Sequence, residues 1–165
     1  MEKDLQERDA TKKLKSLAED IRFCMYTIYK DGRIDSRPMT TQQIDENGNV
    51  WFFTNRQTDL GEPAHQGQVT LIYSDPKNNT YVSVSGNSEL VEDEAKKEEL
   101  WNAMNKAWFP GGKEDPNLVI LKVTTEEAAY WDSNSSQMVV FFSMLKAVLT
   151  GTTPDGGDHG KLNLN

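Results

Sequence analysis

Between Ser36 and Thr58 the chain reads as two β-strands joined by a tight turn, and no other stretch narrows the possible folds as much. Asn47-Gly48 supplies the positive-φ residues a hairpin needs, and the flanking runs, Ser36 to Ile44 and Val50 to Thr58, are rich in β-forming side chains. Pro38 cannot donate a ladder hydrogen bond, so it marks an edge, a bulge or a break in its strand; a break would free the backbone of residues 37–40 to face a ligand. The polar content of the hairpin adds a second constraint. Arg37 and Thr54 fall near the strand ends, where they can meet an anion, and Met39 and Phe53 offer apolar surface beside them. That combination suits a flat aromatic ligand carrying a phosphate.

The rest of the chain supplies strands and a few helices around this hairpin. A helix is expected over roughly residues 5–20, with Leu14, Leu17, Ala18 and Ile21 lining one face, and a strand over 23–29 turned by Asp31-Gly32. Strands are expected at 69–73 and 80–91, where Tyr81, Ser83 and Ser85 share one face and Val82 and Val84 the other. A helix from Glu92 would carry Ala95, Leu100, Ala103, Met104 and Ala107 on its apolar side. Trp101 reads as core, whereas Trp108, followed by Phe109-Pro110-Gly111-Gly112, is either a ligand cover at the rim of a loop or simple packing. Two further strands follow, at 118–124 and 128–132, and Trp131 in the second is either at a cofactor rim or in subunit packing. The apolar run from Met138 to Leu149 suggests a subunit interface, and the tail from Gly151 to Asn165 is Gly-rich.

Length and charge bound the possible functions. A chain of 165 residues suits one domain, 1–165, with an N-terminal helical segment at 1–22 and a tail at 151–165. The net charge of −8, with no concentrated basic patch, argues against a nucleic-acid partner. A single cysteine, Cys24, sits in an apolar run and reads as a buried small side chain rather than a nucleophile. With no disulfide, no secretory leader pattern and no run long enough to span a bilayer, a cytoplasmic protein without a membrane partner is expected. His65 and His159 are the only histidines, and phosphate-loop, dinucleotide-binding, zinc-protease and serine-hydrolase motifs are absent.

The segments Ser36-Arg37-Pro38-Met39 and Trp51-Phe52-Phe53-Thr54-Asn55 resemble the flavin-binding hairpin of the pyridoxamine 5'-phosphate oxidase-like split barrels, in particular the bacterial general stress protein group. The resemblance continues through Tyr81–Gly86, Glu99-Leu100-Trp101, Ala107–Pro110, Leu121-Lys122-Val123, Tyr130-Trp131-Asp132 and Gly157–Lys161. It implies a mainly β (α+β) fold, an FMN-binding split β-barrel of about six or seven antiparallel strands with flanking helices. It also implies a homodimer with FMN between the subunits, and cofactor contacts from Arg37, Pro38, Met39, Thr40, Phe53, Thr54, Asn55 and Thr58, with Trp108 and Trp131 at the rim. At the phosphate end Thr58 holds the hydroxyl position, but Asp59 and Leu60 stand where the family pattern has a neutral or basic residue and a lysine. Arg56 is the nearest substitute cation in the sequence.

Three readings of function follow from the resemblance. The first is a flavin-dependent oxidoreductase, in which the protein orients the ring and the flavin carries the redox chemistry. The second is a non-catalytic flavin-binding stress, sensor or storage protein, and the third a barrel that has lost the flavin. The substrate motif of the vitamin-oxidising members, with its C-terminal Arg and His, has no counterpart, and no general acid or base can be named from the sequence.

Overall fold

The computed structural model describes residues 5–58, 66–132 and 158–163. Among these described residues, eight strands and two α-helices follow one another as β1 (Leu5–Gln6), α1 (Glu7–Ile21), β2 (Phe23–Lys30), β3 (Arg33–Ile44), β4 (Val50–Asn55), β5 (Gly67–Asp75), β6 (Thr80–Val91), α2 (Glu94–Leu100), β7 (Leu118–Asp132) and β8 (Asp158–Asn163). The sheet order is β1-β8-β7-β4-β3-β2-β5-β6, and β6 pairs back onto β7, so six antiparallel strands close a barrel. The expected mainly β barrel with flanking helices is therefore present. β8 lies outside it on β7, and the two-residue β1 adds a parallel pair to β8. The tail thus contributes a strand, and the N-terminal helix starts at Glu7 because Leu5 and Gln6 pair with Leu162 and Asn163.

Alternation along the strands fills the interior. Cys24, Tyr26 and Ile28 of β2 point inward with Val82 and Val84 of β6, while Phe23, Met25 and Tyr29 point out. Helix α1 adds Ala10, Leu14 and Ala18 to the same cluster, with Leu17 and Ile21 packed against it, which is the face its spacing predicts. The polar groups buried here are paired: the Tyr26 hydroxyl with Ser88 Oγ at 2.6 Å and the Tyr73 hydroxyl with Thr41 Oγ1 at 2.7 Å. Burial pushes the Cys24 thiol up to about 12 against the lowering effect of hydrogen bonds with Tyr73 and Thr41, so it carries no thiolate at neutral pH.

The structure corrects three sequence expectations. The hairpin turn is not a two-residue Asn-Gly turn: Gly48 alone takes positive φ (79°), and the loop spans Asp45 to Asn49. The Asp45 carboxylate organises it by accepting from the Asn47 and Asn49 backbone N–H groups, the Asn49 side chain and the Trp51 indole. Secondly, β7 is one strand, not two. Paired with β6 from Ile120 to Trp131, it absorbs Thr124 to Glu127 through a register shift opposite Ser85 and Gly86. Gly86 makes this possible, because a Cβ there would lie 2.3 Å from the Thr124 carbonyl oxygen. Thirdly, the helix expected from Glu92 ends at Leu100. Trp101 turns extended, Asn102 caps a separate 3-10 turn at Ala103–Ala107, and Ala95, Ala103, Met104 and Ala107 are exposed rather than lining a core face.

That broken segment positions the site. Outside the barrel wall a second apolar cluster forms from Trp51 and Phe53 of β4, Leu118 and Ile120 of β7, and Leu100 and Phe109 of the segment after β6. Trp101 packs against it, its ring 6.0 Å from that of Phe53, as its core reading predicts. Among the described residues no helix is long and apolar enough to cross a membrane. The run from Met138 to Leu149 lies outside the described residues, as do Asp59 and Leu60.

Candidate functional site

The site arises where β3 and β4 part. Their ladder runs only from Thr41↔Phe52 to Ile44↔Val50, with a shift at Gln42, so the first half of β3 pairs with β2 alone. Pro38, opposite Met25, occupies this edge, the one sheet environment that does not need its missing N–H. The strand does not break there. Facing the parted strands, the 3-10 turn after α2 brings up Met104, Asn105, Trp108 and Phe109, and a cleft of about 330 Å³ lies between.

Seven of the residues proposed from the sequence meet in this cleft. Pro38, Met39 and Thr40 come from β3, Phe53, Thr54 and Asn55 from β4, and Trp108 from the covering segment. Phe109 rather than Trp108 is the packed aromatic, its ring 6.3 Å from Phe53, and Trp108 stands 78% exposed over the rim. Thr58 does not line the cleft itself. It closes its polar end, with its hydroxyl 3.2 Å from that of Thr54 and donating to the Asn55 carbonyl at 2.7 Å. Two proposed residues are elsewhere. Arg37 alternates toward the barrel interior with Tyr26 and pairs with Asp35 at 2.7 Å, and Trp131 sits at the far end of β7 opposite Tyr81. Arg56, the substitute cation, turns to Glu92 at 3.0 Å.

Six lining residues were not among those proposed from the sequence, and three of them, Arg22, Gln42 and Asn105, are polar. The buried Asn105 donates through Nδ2 to Gln42 Oε1 at 3.0 Å, and Gln42 Nε2 donates to the Thr40 carbonyl at 3.3 Å, so a chain of amides fixes the covering turn to β3. Asn102 and Asn105 also form a reciprocal cap, since the Asn105 side chain accepts from the Asn102 N–H at 2.9 Å. An Asn-x-x-Asn spacing just after an amphipathic run was the signal available for this. Arg22, the third, is the single charged residue of the cleft among the described residues, and its place at a helix end carried no signal.

A larger cavity of about 430 Å³ lies beyond Arg56, but its walls are mostly charged. Glu92 and Glu94 there pair with Arg56 and Lys97, so its lining is largely satisfied by itself. The smaller cleft has the character of a small-molecule site, with apolar aromatic walls and a few convergent polar groups.

The sequence pattern described as pyridoxamine 5'-phosphate oxidase like matches residues 9–155. The chain belongs to this family. The family barrel is shared with solved structures. One assigned as general stress protein 26 from Jannaschia sp. CCS1 is 30% identical, with a TM-score of 0.75, over 94% of this chain and 98% of that one. The general stress FMN/FAD binding protein of Xanthomonas citri is 32% identical, with a TM-score of 0.64, over 77% of this chain and 90% of that one. General stress protein 26 of Bacillus subtilis is 38% identical over 47 residues, which span 28% of this chain and only 33% of that protein. Protein bli-3 of Neurospora crassa is 26% identical over 84% of this chain and 72% of that protein.

Proposed function

We propose that this family member binds FMN in the cleft between β3, β4 and the Met104 to Phe109 segment, as a cytoplasmic flavin-dependent oxidoreductase of the general stress protein group. The observation that carries the reading is the cleft's composition. Phe53, Phe109 and Met39 provide an apolar wall, Trp108 an exposed cover on the open side, and Thr40, Gln42, Thr54 and Asn55 polar edges for a ring with carbonyls and ring nitrogens. The donor set fits a flavin. Bound there, a flavin would supply two-electron redox chemistry. The residues of this chain would hold the ring by stacking, limit its contact with water and offer hydroxyl donors from Thr54 and Thr58 toward a phosphate. A neighbour described as an FMN/FAD binding protein supports the reading.

The same reading includes a homodimer with the flavin sites at its interface. Phe23 both lines the cleft and begins an exposed apolar strip on the outer sheet face, continued by Met25, Ile72, Tyr81 and Trp131. The strand registers set these side chains side by side, with Met25 opposite Ile72 and Tyr81 opposite Trp131. An exposed strip of this kind, continuous with the cleft, is what a second copy would cover.

Anaerobic stopped-flow mixing of the FMN complex with NADH, NADPH or a reduced deazaflavin tests the catalytic part. Bleaching of the bound flavin faster than that of free FMN supports the oxidoreductase. No acceleration with any donor supports the alternative, a protein that stores or senses flavin without turning it over.

A further inference from the structure

Among the described residues Arg22 is the one charged side chain on the cleft, and no carboxylate lines it. In a chain of net charge −8 this leaves a positive end on an otherwise apolar slot. Most described lysines and arginines are tied to acids, as in Lys13–Asp132, Arg37–Asp35, Arg56–Glu92 and Lys96–Glu99. Arg22 is not: among the described residues its guanidinium meets the Met104 sulfur, at 4.0 Å, and pairs with no carboxylate. Half-buried against apolar groups, such a cation gives up part of its hydration without a compensating partner, so an anion arriving there gains more than it would at an exposed arginine.

The backbone under Arg22 points the same way. It is the residue just past α1, its N–H bonded to the Ala18 carbonyl and its own carbonyl accepting from Thr41, and it adopts φ 69°. This left-handed position at a helix end is where glycine is favoured, and a bulky side chain there is strained. Here the strained position carries an arginine aimed at the cleft. Thr54 lines the same cleft as Arg22.

We propose that Arg22 is the anion-recognising group of this cleft, which therefore selects planar aromatic ligands bearing a carboxylate or phosphate. The proposal rests on the cleft being the ligand site but not on the ligand being a flavin. The anion is either the phosphate of the flavin itself or the acid group of a second aromatic ligand.

Calorimetric titration of wild type, Arg22→Gly and Arg22→Lys with two pairs of probes tests it: 2-naphthoate against 2-naphthamide, and FMN against riboflavin. Wild type should prefer the charged member of at least one pair by about tenfold, the size of one charge-assisted contact. Arg22→Gly should remove that preference while neutral-ligand affinity stays and the melting temperature holds or rises, because glycine relieves the left-handed backbone. Arg22→Lys should restore part of it. A preference lost in the FMN pair assigns the anion to the cofactor's phosphate, and one lost only in the naphthyl pair assigns it to a second ligand. Unchanged preferences in Arg22→Gly overturn the proposal, as does a joint loss of melting temperature and neutral-ligand binding, which would make Arg22 part of the wall only. Binding of FMN with no effect of Arg22→Gly on either pair leaves the flavin reading standing and sinks this one; a lost naphthoate preference in a protein that binds no flavin does the reverse.

Discussion

The Trp51 indole donates a 3.0 Å hydrogen bond to the Asp45 carboxylate, tying the hairpin turn to the strand that carries Phe53 and Thr54 into the cleft. Burial alone would raise the Asp45 carboxyl, but hydrogen bonds from Trp51, Asn49 and Asn47 outweigh it and hold the group below its usual range. A carboxyl lowered in the folded state stabilises above its unfolded value of about 3.9, and that stability is lost as pH falls through the lower folded value. Asp45→Ala should cost about 2 kcal/mol near neutral pH, since it strips several donors of a charged acceptor. Melting temperature followed from neutral to acid pH checks this: Asp45→Asn should flatten the acid limb below about pH 4.

Gly86→Ala probes the register shift that keeps β7 continuous. With its new methyl 2.3 Å from a backbone oxygen, the β6–β7 ladder must move, and a loss of at least about 1–3 kcal/mol is expected in urea unfolding. An unchanged midpoint would show that the ladder opens there without cost.

Trp108→Ala separates packing from ligand contact. As Trp108 is largely exposed, its removal should change stability by no more than about 0.5 kcal/mol. Loss of the stacked ring should nevertheless weaken flavin binding about three- to tenfold. Fluorescence titration beside a thermal melt reads both, and a large drop in melting temperature with unchanged affinity would assign Trp108 to the fold instead.

Sedimentation velocity tests the outer face. Wild type should run as a dimer, and Ile72→Glu, placing a charge amid Met25, Tyr81 and Trp131, should shift it to monomer without unfolding it, because Ile72 is 45% exposed in the isolated chain. A wild type that stays monomeric at every concentration would contradict the dimer.

What could be read from the sequence was what depends on local pattern. The period-two burial of Val82 and Val84 and the inward stripe of α1 follow from alternation and spacing, and Met39, Phe53 and Thr54 fall within the hairpin that the sequence marks. What could not was set by tertiary pairing. Thr125 to Glu127 separates two expected strands until β6 pairs along it, and the amphipathic run from Glu92 resembles one helix until the Asn102–Asn105 cap divides it. Arg37 fits a phosphate contact by sequence position, yet strand alternation sends it toward Tyr26 and Asp35, and Arg22, contributed by a helix end, takes the charged place on the cleft.

The central claim, that the cleft holds the flavin, is tested most directly by titrating FMN fluorescence with wild type and with Thr40→Trp, which fills the slot beside Phe23 and Phe53. Wild type should quench FMN to saturation at one flavin per chain, and Thr40→Trp should abolish the quenching while keeping its melting transition. Absence of quenching at high micromolar wild-type protein, or equal binding by the folded Thr40→Trp variant, would contradict it.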